Sequence, residues 1–183
     1  MVDILNKLII ATGDIKDYIR HDNIVLDPAG TAIESGIWDG GGVSGAIYET
    51  LGITKTKMNN SNSITALKPT KVKLNNFNGQ YILHIHSPNG IVIKNEVKFI
   101  KALEDSYNTI FNEFSKHLND LKKNKLVKPN NLVLVSVSGG IYCGGYCEKM
   151  PELTINAIQQ GYRRSALSKT ELKYNIILVN NDK

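Results

Sequence analysis

Two glycine-rich segments, each running into a helical pattern, constrain this chain more than any other feature. The first is Gly40-Gly41-Gly42-Val43-Ser44-Gly45-Ala46-Ile47; the second is Ser138-Gly139-Gly140-Ile141-Tyr142-Cys143-Gly144-Gly145. The second follows the apolar run Leu132-Val133-Leu134-Val135 and precedes a helical pattern that begins near Pro151. A β-branched run opening into serine and glycines, then a helix, is how α/β folds build an anion cradle. Glycine lets backbone N–H groups approach a ligand closely, and those donors favour phosphate oxygens. One such segment is weak evidence. Two of them describe a clamp suited to a diphosphate.

The chain around these segments alternates strand and helix patterns. Residues 8–11 read as a strand ended by a turn at Gly13, and 23–26 as a second strand ended by Pro28. Val43, Ala46, Ile47 and Leu51 fall at helical spacing, with Gly52 as a natural stop. An Asn- and Ser-rich stretch at 57–65 reads as an exposed loop. Val72 and Leu74 mark a strand, and residues 75–79 turn the chain into a strand over 81–86. The longest helix starts near Asn95, with Val97, Ile100, Leu103, Tyr107, Ile110, Phe111, Phe114, Leu118 and Leu121 as its core stripe. A buried strand over 132–137, a helix over 152–163 and a last strand over 175–179 follow. This alternation predicts an α/β fold, a three-layer α/β/α sandwich with a mostly parallel central sheet.

At 183 residues the chain is one domain, large enough to bury most of its surface. No apolar run approaches the roughly 18 residues that span a bilayer, and the N-terminus lacks a signal-peptide pattern. A cytoplasmic location with no membrane partner is the expectation. Two cysteines, Cys143 and Cys147, allow a disulfide by spacing, but reduced thiols suit a cytoplasmic chain. No metal is expected, since a zinc site needs more ligands than these. The net charge of +5 is spread over scattered lysines. Solvated helix ends and loops explain them; attraction to RNA or poly-ADP-ribose is the alternative, and the clusters lack the interleaved aromatics of RNA binders.

The motifs together resemble those of the macro domain family, whose members bind ADP-ribose. Thr12-Gly13-Asp14-Ile15 is similar to the family's Gly-Asp-Ile turn, and Gly40 to Ile47 to its Gly-Gly-Gly-Val-x-Gly-Ala-Ile. Residues 81–89 resemble the Ile-His-x-Val-Gly-Pro strand, and the loop from Ser138 to Gly145 resembles the phosphate loop of alphavirus macro domains. Residues 176–183 sit where those domains end a strand in Arg-Asp-Lys. The resemblance covers nearly the whole chain, 1–183, but lacks the family's final helix. That implies a piece of something larger, such as a viral replicase acting in host-cell cytoplasm. A monomer is expected.

By this resemblance Asp14 accepts the adenine amino group, assisted by the Ile15 backbone. Gly41, Gly42 and Val43 form one phosphate loop; Ser138, Gly139, Gly140, Ile141 and Tyr142 form the other. His84 and His86 alternate on one strand and read as fold residues. ADP-ribose is a ligand here, and no cofactor is implied. Catalysis stays open. The family's hydrolases use the last Asn of an Asn-Ala-Ala-Asn segment, where this chain has Leu26-Asp27-Pro28-Ala29-Gly30, and no Asn lies between Asn23 and Asn59. Asp27 and Glu34 are the candidate substitutes for a general base. The expectations are therefore a binder of ADP-ribose or mono-ADP-ribosylated protein, a hydrolase with a substitute residue, or a diverged domain that binds RNA or a protein.

Overall fold

The computed structural model describes residues 3–29, 41–53 and 67–180. They carry strands β1 (Leu8–Thr12), β2 (Asn23–Ala29), β3 (Val72–Phe77), β4 (Gln80–His86), β5 (Asn131–Leu134) and β6 (Asn175–Asn180). The helices are α1 (Gly42–Leu51), α2 (Glu96–Lys123) and α3 (Met150–Arg164). Glu34, the loop expected at 57–65 and residues 181–183 lie outside the described residues.

The strands form one sheet in the order β1-β6-β5-β2-β4-β3. Every neighbouring pair is parallel except β3 with β4. Those two form a hairpin turned by Asn78 and Gly79, both at positive φ, as an Asn-Gly turn requires. The layers are those of an α/β/α sandwich. α1 packs near β2 and the 3-10 turn Ile15–Tyr18, while α2 and α3 pack against each other. Parallel strands buried on both faces read as continuous apolar runs, and Leu132, Val133 and Leu134 of β5 are fully buried.

Three details depart from the sequence expectations, each for a long-range reason. β2 runs through Pro28 to Ala29, although Pro28 was expected to end it. Its pairing with β5 stops at Val25, so beyond that point only β4 is alongside and the missing proline N–H interrupts no second ladder. β5 ends at Leu134 and does not reach Val137. There the Tyr107 hydroxyl takes over the backbone, donating to Val135 O at 3.0 Å and accepting from Val137 N at 3.0 Å. In α2, Val97 is 75% exposed, and Phe99, outside the expected stripe, is buried in its place. Phe99 lies one turn before Leu103, while Val97 sits on the far side of the helix. Phe99 also stacks on Tyr146 with ring centroids 4.5 Å apart.

Several helix ends fall where the sequence places them. Asn95 caps α2, its side chain accepting from Lys98 N at 2.9 Å. Gly52 ends α1 in the left-handed conformation at φ 62°. Pro151 sits in the first turn of α3, where its missing N–H is harmless.

Candidate functional site

Because β1, β6, β5, β2 and β4 are parallel, their carboxyl ends share one edge of the sheet. Ligands of open α/β sheets bind at that edge. Three of the predicted site segments lie along it in spatial order. Asp14 and Ile15 follow β1, the 138–142 loop follows β5, and Gly41, Gly42 and Val43 come after β2, the neighbour of β5. From β1 to β2 is three strand steps, about 14 Å at the usual inter-strand spacing. That sets the Asp14 turn at one end of the edge apart from the Gly41–Gly42 segment at the other.

Asp14 caps the 3-10 turn Ile15–Tyr18, Oδ1 accepting from Lys16 N at 2.9 Å. Gly13 N donates to Asn180 O at 3.2 Å, which ties the turn to β6. The Ile15 side chain is buried, so only its backbone faces the edge. Lys16 pairs with Glu49 of α1 at 2.9 Å, linking the Asp14 turn to that helix. That hydrogen bond raises the lysine pKa and lowers that of the glutamate.

The glycines define open space. A Cβ added at Gly41, Gly42, Gly140 or Gly145 would meet nothing within 4 Å. Gly41 and Gly42 open α1, so its unpaired first-turn N–H groups point along the same edge. Gly139 is different, since its Cβ would meet Ser136 Oγ at 2.6 Å. Ile141 is 77% exposed. Ser138 is buried, and its hydroxyl donates to Pro88 O at 2.6 Å, so the side chain fastens the loop from below. Tyr142 O accepts from Gly90 N at 2.7 Å. The segment after β4 thus zips onto the glycine loop, a partnership the sequence reading missed because 88–90 carries no local signal for it.

Asp27 is brought to the same strand end and then sealed. It is fully buried. Ser44 Oγ donates to its Oδ1 and Tyr48 OH to its Oδ2, while His84 Nδ1 lies 2.7 Å from Oδ2. Burial, with the carboxyl group beside it, pushes the Tyr48 hydroxyl far above the usual tyrosine pKa, so it remains a donor. The arrangement bolts α1 to β2 and β4. It gives Asp27 no access to a substrate water, so the geometry places this residue in the fold. Ser44 and Tyr48 went unnoticed in the sequence. Their polar i,i+4 spacing on the inward face of α1 was the available signal. His84 and His86 are buried as expected, with His86 Nδ1 2.8 Å from Leu67 O. Ser87, at the end of β4, is buried with its hydroxyl unpartnered.

Cys143 and Cys147, whose spacing allows a disulfide although thiols suit a cytoplasmic chain, are joined by a disulfide at the end of the glycine loop. Among the described residues no cluster of His, Cys, Asp or Glu could hold a metal ion. No described helix is long and apolar enough to cross a membrane. A separate cavity of about 310 Å³, lined by Thr12, Asp17, Tyr18, Arg20, Asn23 and Asn131 among others, touches none of the predicted site residues.

Sheet order defines an open α/β domain with glycine-rich loops along its carboxyl edge. Comparison with solved structures sharpens that class. An alphavirus structure, P23pro-zbd, is 18% identical with a TM-score of 0.63, covering 95% of this chain. The chain spans only 22% of that alphavirus protein. A macrodomain variant from Oceanobacillus iheyensis, solved with ADPR, is 21% identical with a TM-score of 0.57, the match covering 94% of this chain and 83% of that one. The macro domain of ganglioside induced differentiation associated protein 2 is 15% identical with a TM-score of 0.62, covering 95% and 77%. The chain has the macro domain fold. No family model matches the sequence, and no curated protein matches it.

Proposed function

We propose that this domain binds ADP-ribose, free or attached to a protein side chain. The observation that carries the reading is the carboxyl edge itself. Two glycine loops on the neighbouring strands β2 and β5 leave open space beside Gly41, Gly42 and Gly140, with Asp14 at the far end of the same edge. Backbone donors of both loops and the first turn of α1 suit the diphosphate, and a carboxylate at the other end suits the adenine amino group. The O. iheyensis macrodomain solved with ADPR shares this fold.

The test is calorimetric titration with ADP-ribose, with ADP and single-stranded RNA as comparisons. A dissociation constant in the micromolar range, about −8 kcal/mol, is expected for ADP-ribose. Folded protein that takes up RNA but no ADP-ribose would sink the reading in favour of a diverged RNA-binding domain.

Hydrolysis of mono-ADP-ribosylated protein is expected to be weak or absent. Asp27 is enclosed by Ser44, Tyr48 and His84, and no asparagine lies at 24–58 to orient water. Lost positioning of this kind is worth several kcal/mol of barrier. Release of ADP-ribose from a glutamate-linked substrate, abolished by Glu34→Ala, would reverse that expectation.

A further inference from the structure

The glycine loop after β5 has its own covalent closure. The Cys143–Cys147 disulfide, with α-carbons 4.9 Å apart, encloses Gly144, Gly145 and Tyr146. Cys143 N donates to Gly140 O at 3.1 Å, so one end of the bond is a single hydrogen bond from the glycine that opens onto the cleft. Inside the ring Gly144 sits at φ 56° against the 90–91 backbone, where a Cβ would meet Ile91 N at 2.6 Å. Across the same contact Gly90 N donates to Tyr142 O. The two sulfurs have unequal surroundings, Cys143 being buried and Cys147 exposed.

We propose that this cystine is a redox-active site and that its oxidation state sets the affinity of the cradle. The proposal rests on the reading of the cradle as an ADP-ribose site. A thiolate of a dithiol reductant attacks the exposed Cys147 sulfur, the S–S bond breaks, and Cys143 leaves as a thiolate that takes up a proton. The second thiol of the reductant then attacks its own sulfur in the mixed disulfide. That step releases Cys147 as a thiol and leaves the reductant as its cyclic disulfide. Two electrons and two protons pass to the protein. The ring is short, so the bond does little to the unfolded chain. Its effect falls on the native loop, which loses the clamp holding Gly144 against Gly90 and, through Cys143 N, the fixed position of Gly140. Donors that are less preorganised bind a diphosphate more weakly.

The experiment titrates ADP-ribose into air-oxidised protein and into protein reduced with dithiothreitol. Iodoacetamide labelling read by mass spectrometry establishes the state of both cysteines in each sample. The oxidised protein is expected to resist labelling and to bind roughly 3- to 10-fold more tightly. Cys147→Ser, at the exposed position, is expected to bind like the reduced protein and to ignore dithiothreitol; Cys143→Ala provides a second variant. Equal affinity in the two states, with the bond shown to form and break, overturns the switch alone. Labelling of both cysteines in the air-oxidised protein also overturns it. Absence of ADP-ribose binding in both states overturns the ligand reading, and the switch with it.

Discussion

His84 Nδ1 lies 2.7 Å from Asp27 Oδ2, and the two residues face each other in register across the parallel strands β2 and β4. With Ser44 and Tyr48 reaching in from α1, the Asp27 carboxyl group is the point where helix and sheet are fastened. The glycine loop that opens α1 takes its position from this junction.

Asp27→Ala is therefore expected to destabilise the protein by roughly 3 kcal/mol, because it removes the shared acceptor of Ser44 and Tyr48 and the partner of His84 from a buried junction. Urea denaturation measures this directly. A variant as stable as the parent that had lost hydrolytic turnover would instead mark Asp27 as a catalytic base.

Asp14 serves two purposes that substitution can separate. Asp14→Ala removes both the cap of the 15–18 turn and the expected adenine acceptor. About 1 kcal/mol of stability and roughly 1–3 kcal/mol of ADP-ribose affinity are expected to go. Asp14→Ser keeps a capping oxygen, so it should restore most of the stability and little of the binding. Full binding by Asp14→Ala in calorimetry would dismiss the adenine assignment.

Gly140→Val tests the cradle. A Cβ there meets nothing within 4 Å, while the backbone at φ −98°, ψ −131° is unfavourable for a β-branched residue, so a modest fall in melting temperature with the fold retained is expected. The added isopropyl group occupies the space assigned to the diphosphate, and ADP-ribose binding should fall below detection. Retained affinity would move the cradle elsewhere.

Ser87→Ala removes a buried hydroxyl that has no hydrogen-bond partner. An unpaired buried polar group costs stability, so the variant is expected to be equal to the parent or up to about 1 kcal/mol more stable. A clear loss in chemical denaturation would show that the hydroxyl is bonded in solution.

His117 gives the fold a defined acid sensitivity. Burial lowers its pKa below the ordinary histidine value, against a raising effect from the bond to Pro129 O at 2.9 Å. With the folded pKa below the unfolded one, the unfolded state takes up the proton first. This contribution to stability is complete above about pH 6.5 and is lost as pH falls through the folded pKa. His117→Gln should flatten that part of the stability profile between pH 7 and 5. An unchanged profile in thermal melts would show that other groups carry the acid response.

The sequence by itself determined the alternation of elements, the start of α2 near Asn95, the stop at Gly52 and a turn within residues 75–79. It also determined which glycines stand between strands and helices. Each of these depends on a residue and its near neighbours, through φ preference, capping or hydrophobic period. Tertiary structure decided the rest. Asp27 looked like an available carboxylate until strand register set it against His84, 57 residues away, and α1 closed over it. Ser138 became a fastening for Pro88, and Phe99 displaced Val97 from the core. Pro28 continued a strand because β5 had already left its side, and two cysteines became a cystine. Burial and partners are set by chain segments far apart in sequence, and no local propensity records which segments the sheet brings together.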